Sequence, residues 1–160
     1  MAFGASKVFI YCITDALNRT STSMDLNTDA NFKAALYDNS ITPDANATAA
    51  NTCYNVGAWS SGHITDTGTG APAGWPTVGR PLVSPTSTAT TNVYTFDAAD
   101  TVSASDTTTL AANYGCQIYD DDVTSPADQG LCFLNWGSAS VTLGRFTIVW
   151  NGSGLFTVTV

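Results

Sequence analysis

Arg145-Phe146-Thr147-Ile148-Val149-Trp150, then Asn151-Gly152-Ser153-Gly154, then Leu155-Phe156-Thr157-Val158-Thr159-Val160 is the stretch from which the fold is read. Two runs rich in β-branched and aromatic residues flank four residues that tolerate positive φ, which is the pattern of a β-hairpin. In the final run Phe156, Val158 and Val160 face one way while Thr157 and Thr159 face the other. A period of two is the strand signature, and its apolar side is core.

Working outward, the same signals recur. Residues 7–13 alternate and predict a strand, with Lys7, Phe9, Tyr11 and Ile13 on one side and Val8, Ile10 and Cys12 on the other. Phe32-Lys33-Ala34-Ala35-Leu36-Tyr37 predicts a second, closed by the turn Asp38-Asn39-Ser40. Residues 92–96 form a strand before a turn at 97–100, with a further short strand over 101–104. Residues 113–119 and 131–136 flank an acidic, proline-containing loop. A hairpin centred on Thr124 would set Ile118 opposite Gly130 and Cys116 opposite Cys132, and whether those thiols could join would depend on local geometry. One short helix is predicted: Thr42 as N-cap, Pro43 at the first helical position, Asp44 at the positive end, alanines up to Cys53 and Tyr54, and Gly57 to end it. Residues 58–90 lack periodicity and read as a long irregular connection of the kind that serves a function or an interface. The expectation is an all-β chain, residues 1–160 forming a single antiparallel β-sandwich domain of about seven or eight strands with long loops and one short helix. Residues 1–30 read as an N-terminal strand or arm, and no internal repeat is visible.

Composition agrees. All 13 acidic residues are Asp, and only five Lys and Arg oppose them. Asp, Asn, Ser and Thr compete with the helical backbone and favour turns and strands. A net charge of −8 argues against nucleic acid as a partner, because phosphate binding needs clustered cations. The apolar run from Val8 to Ile13 is too short for a signal peptide or a membrane span, so no membrane partner is expected and the chain is expected to fold in a cytoplasm, with reduced thiols. Cys12, Cys53, Cys116 and Cys132 lack the close spacing of a zinc site and read as buried hydrophobes.

The search for chemistry returns little. His63, the single histidine, sits in Ser60-Ser61-Gly62-His63-Ile64-Thr65 without a nucleophile-elbow motif. Glycoside hydrolysis needs two carboxyls with pKa values pushed apart, whereas these acids cluster in turns. Asp120, Asp121, Asp122 and Asp128 are the densest group, but the alternating ligand pattern of a calcium loop is absent. Gly68-Thr69-Gly70 lacks the strand-to-helix context and the Lys of a phosphate loop. No catalytic residue, cofactor or metal site is therefore assigned, and an enzyme is not expected. The residues left for an interface are Trp59, Trp75, Pro76 and Arg80, with tryptophan a frequent hot-spot residue; a loop Trp folded back over its own core is the competing reading.

Several segments resemble a family of virion structural proteins from tailed phages, especially phages of actinobacteria. They are Phe32–Tyr37 followed by Ser40-Ile41-Thr42-Pro43, Gly74-Trp75-Pro76-Thr77-Val78-Gly79-Arg80-Pro81-Leu82, Val93–Asp100, Tyr114–Asp121, Gly144–Trp150 and Gly154–Val160. The resemblance spans roughly residues 30–160 and carries no catalytic residues. It implies a minor capsid or capsid decoration protein seated on the major capsid protein lattice at the capsid exterior, present in the host cytoplasm during assembly. It also fits a homo-oligomer, with a trimer suited to a symmetric lattice. The alternatives are a tail- or fibre-associated protein or an exterior glycan-binding module using Trp59 and Trp75, with a cell-wall hydrolase the least supported.

Overall fold

The computed structural model describes residues 4–18, 26, 31–69, 71 and 73–159. Its strands in chain order are β1 (Lys7–Val8), β2 (Phe32–Tyr37), β3 (His63–Ile64), β4 (Arg80–Pro81), β5 (Val83–Thr90), β6 (Val93–Ala99), β7 (Thr101–Val102), β8 (Thr108–Asp120), β9 (Gly130–Gly144), β10 (Thr147–Ile148) and β11 (Phe156–Thr159). Among the described residues strand, at 46%, far exceeds helix, at 10%, and the sheets are antiparallel, so the all-β, sandwich-like expectation holds. The strands number more than the seven or eight expected because several are only two residues long.

The central sheet runs β1-β9-β8-β2-β3, with β4 also on β2. Strand β2 lies inside it and is buried on both faces, which suits the small Ala34 and Ala35 between Phe32 and Tyr37. Register places Ala34, Ile118 and Cys132 in one row and Leu36, Cys116 and Leu134 in the next, on one face. The opposite face carries Tyr37, Gln117, Tyr119 and Phe133. The three-stranded sheet β11-β6-β5 contributes Phe96 to the first face, its ring 5.2 Å from that of Phe32. Phe9, Tyr54 and Trp59 cover the second: Trp59 lies 5.0 Å from Tyr37, Phe9 5.4 Å from Phe133, and Tyr54 stacks on Tyr119 at 4.6 Å. Aromatic pairs at such separations add to the area they bury.

Four local expectations are corrected. Residues 7–13 are a strand only at Lys7–Val8; helix α1 (Ile10–Asn18) follows. Phe9 and Cys12 are buried and Ile13 half-buried, while Ile10 is 48% exposed. Spacing of i, i+3, i+4 is a helical face, and it competes with alternation inside the same seven residues. The helix expected from Pro43 shrinks to α2 (Ala49–Thr52) and a 3-10 turn at Gly57–Ser60. The Asp44 carboxylate accepts the Asn46 N–H at 2.9 Å, a local turn that competes with helix initiation. The connection 58–90 is not irregular throughout, since it holds β3, β4 and β5. In the β8–β9 hairpin Cys132 faces Ile118, and Cys116 faces Leu134. A bridge between Thr124 and Ala127 moves the turn beyond Thr124, and the register shifts between Ile118 and Tyr119. The two cysteines are diagonal neighbours, and none of the four cysteines is in a disulfide.

The C-terminal stretch departs furthest. Its turn forms, with Gly154 at φ +95° and its N–H donating to the Asn151 carbonyl at 2.8 Å. Yet the two runs do not pair with each other. Thr147 faces Val102 and Phe156 faces Phe96, so the whole segment runs antiparallel to residues 93–102. From Thr147 to Phe156 it takes nine steps against six on its partner, and the surplus bulges out at the Gly-Ser loop. Buried side chains decide this. Trp150 donates its indole N–H to Thr101 Oγ1 at 3.2 Å and its backbone N–H to Asp100 at 3.1 Å, and Leu155 donates to the Phe96 carbonyl at 2.8 Å. Deleting Phe156–Val160 is expected to lower the melting temperature by roughly 5 °C or more, because β6 loses a neighbour over Tyr94 and Phe96. An unchanged melting curve by circular dichroism would contradict this role.

Candidate interaction surfaces

The two tryptophans named from sequence are interior. Trp59 is 1% and Trp75 0% exposed. Trp59 rides on the 3-10 turn with its edge against Phe9 and Tyr37. Trp75 donates its indole N–H to the Ala34 carbonyl at 3.3 Å and lies edge-on to Phe146 at 5.4 Å. Neither presents a ring face to a partner or a sugar, which corrects their assignment as contact residues. Gly74 is the local reason for Trp75: a Cβ there would collide with Thr108 Oγ1 and the Asp66 carboxylate, so only glycine lets the loop close down. Pro76 and Arg80 are half-buried beside it, and Arg80 pairs with Ala34 through β4.

Asp66, not singled out from sequence, organises that loop. Its buried carboxylate accepts backbone N–H groups from Gly68 at 2.7 Å, Thr109 at 2.8 Å and Gly74 at 3.1 Å. Burial raises its pKa, but the three donors outweigh burial and hold it below the ordinary value. The Asp66-Thr67-Gly68 turn is visible in sequence; the other two donors lie eight and 43 residues downstream.

Several other polar groups pair with one another. The Tyr37 hydroxyl donates to the Trp59 carbonyl at 3.1 Å and meets His63 Nε2 at 3.1 Å, while Gln117 donates to the Thr52 carbonyl. Burial lowers the His63 pKa and raises that of Tyr37. In the acidic hairpin Asp121 pairs with Lys33, and Gln129 ties to Asp15 of α1 at 2.7 Å. Asp128 is raised, first by burial and then by Asp121. Burial pushes the Cys12 thiol up to about 12 and that of Cys53 up to about 11, keeping both protonated at neutral pH. Among the described residues no group of three or more His, Cys, Asp or Glu side chains is arranged to hold a metal ion, and no helix is long and apolar enough to cross a membrane.

Among the described residues, two surfaces stand out as candidates for a partner. One is a largely apolar groove lined by Trp136, Ala139, Phe146, Thr147, Ile148 and Val149, between β9 and the C-terminal segment. Val149 at its rim is 73% exposed, and Leu143 near the end of β9 is 60% exposed. The other is the outer edge of β5, which no strand among the described residues covers. Periodicity could not find the groove, because β9 and the segment that follows it, though close in sequence, belong to different sheets.

Comparisons with protein-family models, with curated proteins and with solved structures each returned no match.

Proposed function

We propose that this chain is a structural protein of a tailed-phage particle that acts by contact, as a decoration or minor capsid protein on the major capsid protein lattice. The sequence resemblance suggests the particle. The observation that carries the contact role is the exposed Val149 beside a groove of Trp136, Phe146 and Ile148. Large apolar side chains gathered at an open groove mark a surface that a protein partner covers. An acidic exterior, net −8, suits a subunit that sits outside the shell and away from the genome.

Cryo-electron microscopy of the particle tests this directly. The expected result is density repeated over the capsid lattice, with the groove turned toward the shell. Density confined to the tail would overturn the capsid placement, and absence of the chain from purified particles would overturn the virion reading. Val149→Asp puts a charge into the groove without entering the core, and it is expected to cut the copies per particle by roughly tenfold, since desolvating a carboxylate costs more than a lost methyl contact. Undiminished incorporation, read by quantitative mass spectrometry of purified particles, would remove the groove from the interface.

A further inference from the structure

The outer edge of β5 carries a pattern of its own. Natural proteins protect exposed strand edges with charges, prolines or bulges. Here Pro85 and a register shift between Val83 and Thr86 blunt only the start of the strand. Thr86-Ser87-Thr88-Ala89-Thr90 beyond it holds no charge, and no residue between Arg80 and Asp97 is charged in a chain of net −8.

Backbone direction follows from β6. The Leu155 N–H donates to the Phe96 carbonyl at 2.8 Å, so that carbonyl points toward β11 and away from β5. Polar groups alternate sides along an antiparallel strand. Ser87, opposite Phe96, therefore turns its N–H and C=O to the open edge, and Ala89 two residues on does the same. Thr86, Thr88 and Thr90 hold the alternating positions, and all three are exposed.

We propose that β5 pairs edge to edge with β5 of a second copy of this chain, antiparallel about a two-fold axis at Thr88. The five residues read nearly alike in both directions about Thr88, which is what a self-pairing strand requires. In that register Ser87 and Ala89 of opposite copies exchange N–H···O=C bonds, four in all across the axis, and Thr86 faces Thr90 while Thr88 faces its own copy. Cross-strand Thr pairs are favourable, and an uncharged edge spares two acidic chains from meeting like charges. Another protein's strand would gain nothing from this symmetry. The interface is isologous and closes at two copies instead of the three that lattice symmetry suggested. The inference stands apart from the virion reading, because it concerns the purified chain alone.

Light scattering on the purified full chain is expected to give twice the 16.7 kDa chain mass at micromolar concentration. Ala89→Pro removes an outward N–H that β6 does not use, and Thr88→Lys sets two ammonium groups across the axis. Each is expected to raise the dimer dissociation constant by roughly tenfold or more, and Thr88→Lys serves if the proline variant fails to fold. Under oxidation Thr88→Cys is expected to form a covalent dimer, whereas Val149→Cys is not. A monomeric wild type, a dimer that survives both edge substitutions, or equal cross-linking at the two cysteine sites would overturn the proposal.

Discussion

Asp66→Ala is expected to be among the most damaging single substitutions in the chain, destabilising it by on the order of 4 kcal/mol. The carboxylate accepts three backbone N–H groups, from Gly68, Gly74 and Thr109, that belong to two separate segments. Bonds to a charged acceptor contribute about 1.5–3 kcal/mol each, and their loss strands donors in a closed loop. Small domains have only about 5–15 kcal/mol of stability in total, so urea unfolding should show a midpoint far below wild type. Asp66→Asn keeps one carbonyl acceptor and should fall between. The pH dependence has a fixed sign. A carboxylate whose folded pKa lies below its unfolded value of 3.8 stabilises the fold fully above that value, and the contribution is lost as pH falls through the folded pKa. The gap between wild type and Asp66→Ala should therefore narrow in acid below about pH 3.8. A gap that stays constant there would show that the negative charge is not what holds the loop.

Trp75→Ala is expected to cost about 3–5 kcal/mol, the range for emptying a buried aromatic site. The indole has no exposed surface, packs edge-on to Phe146, and donates to the Ala34 carbonyl inside the central sheet. Its loss opens a cavity and leaves that carbonyl without a side-chain donor. Trp75→Phe restores most of the volume but not the N–H, so it should recover most of the loss and leave a residue of about 1 kcal/mol. A melting temperature within about 2 °C of wild type for Trp75→Ala would instead place the side chain outside the cooperative core.

These two residues also show where sequence reading works and where it stops. The all-β class was legible because Asp, Asn and Thr leave little for helices, and because β2 and β6 alternate or run apolar between clear turns. Helix α1 was hidden because Val8–Ile13 satisfies both periods: Val8, Ile10 and Cys12 alternate, while Phe9, Cys12 and Ile13 lie on one helical face. Only the fit of Phe9 between Trp59 and Phe133 resolves the ambiguity. Strand β5 left no apolar signal, since most of its side chains are exposed. The role of Asp66 was half visible, because its turn to Gly68 is local while Gly74 and Thr109 reach it only through the fold. For the tryptophans, the residue type was informative and the direction of the side chain was not.

The pairing of the C-terminal segment has a kinetic consequence. A hairpin closed through Asn151–Gly154 would zip locally, whereas β11 must find β6 across about sixty residues of chain, from Phe96 to Phe156. Loop-closure entropy has to be met before any of those ladder bonds can form, so non-local closure of this kind slows folding. Until that search ends, Phe96 and its neighbours have one flank open to solvent, and the partly assembled chain is at its most vulnerable to association with the wrong strand.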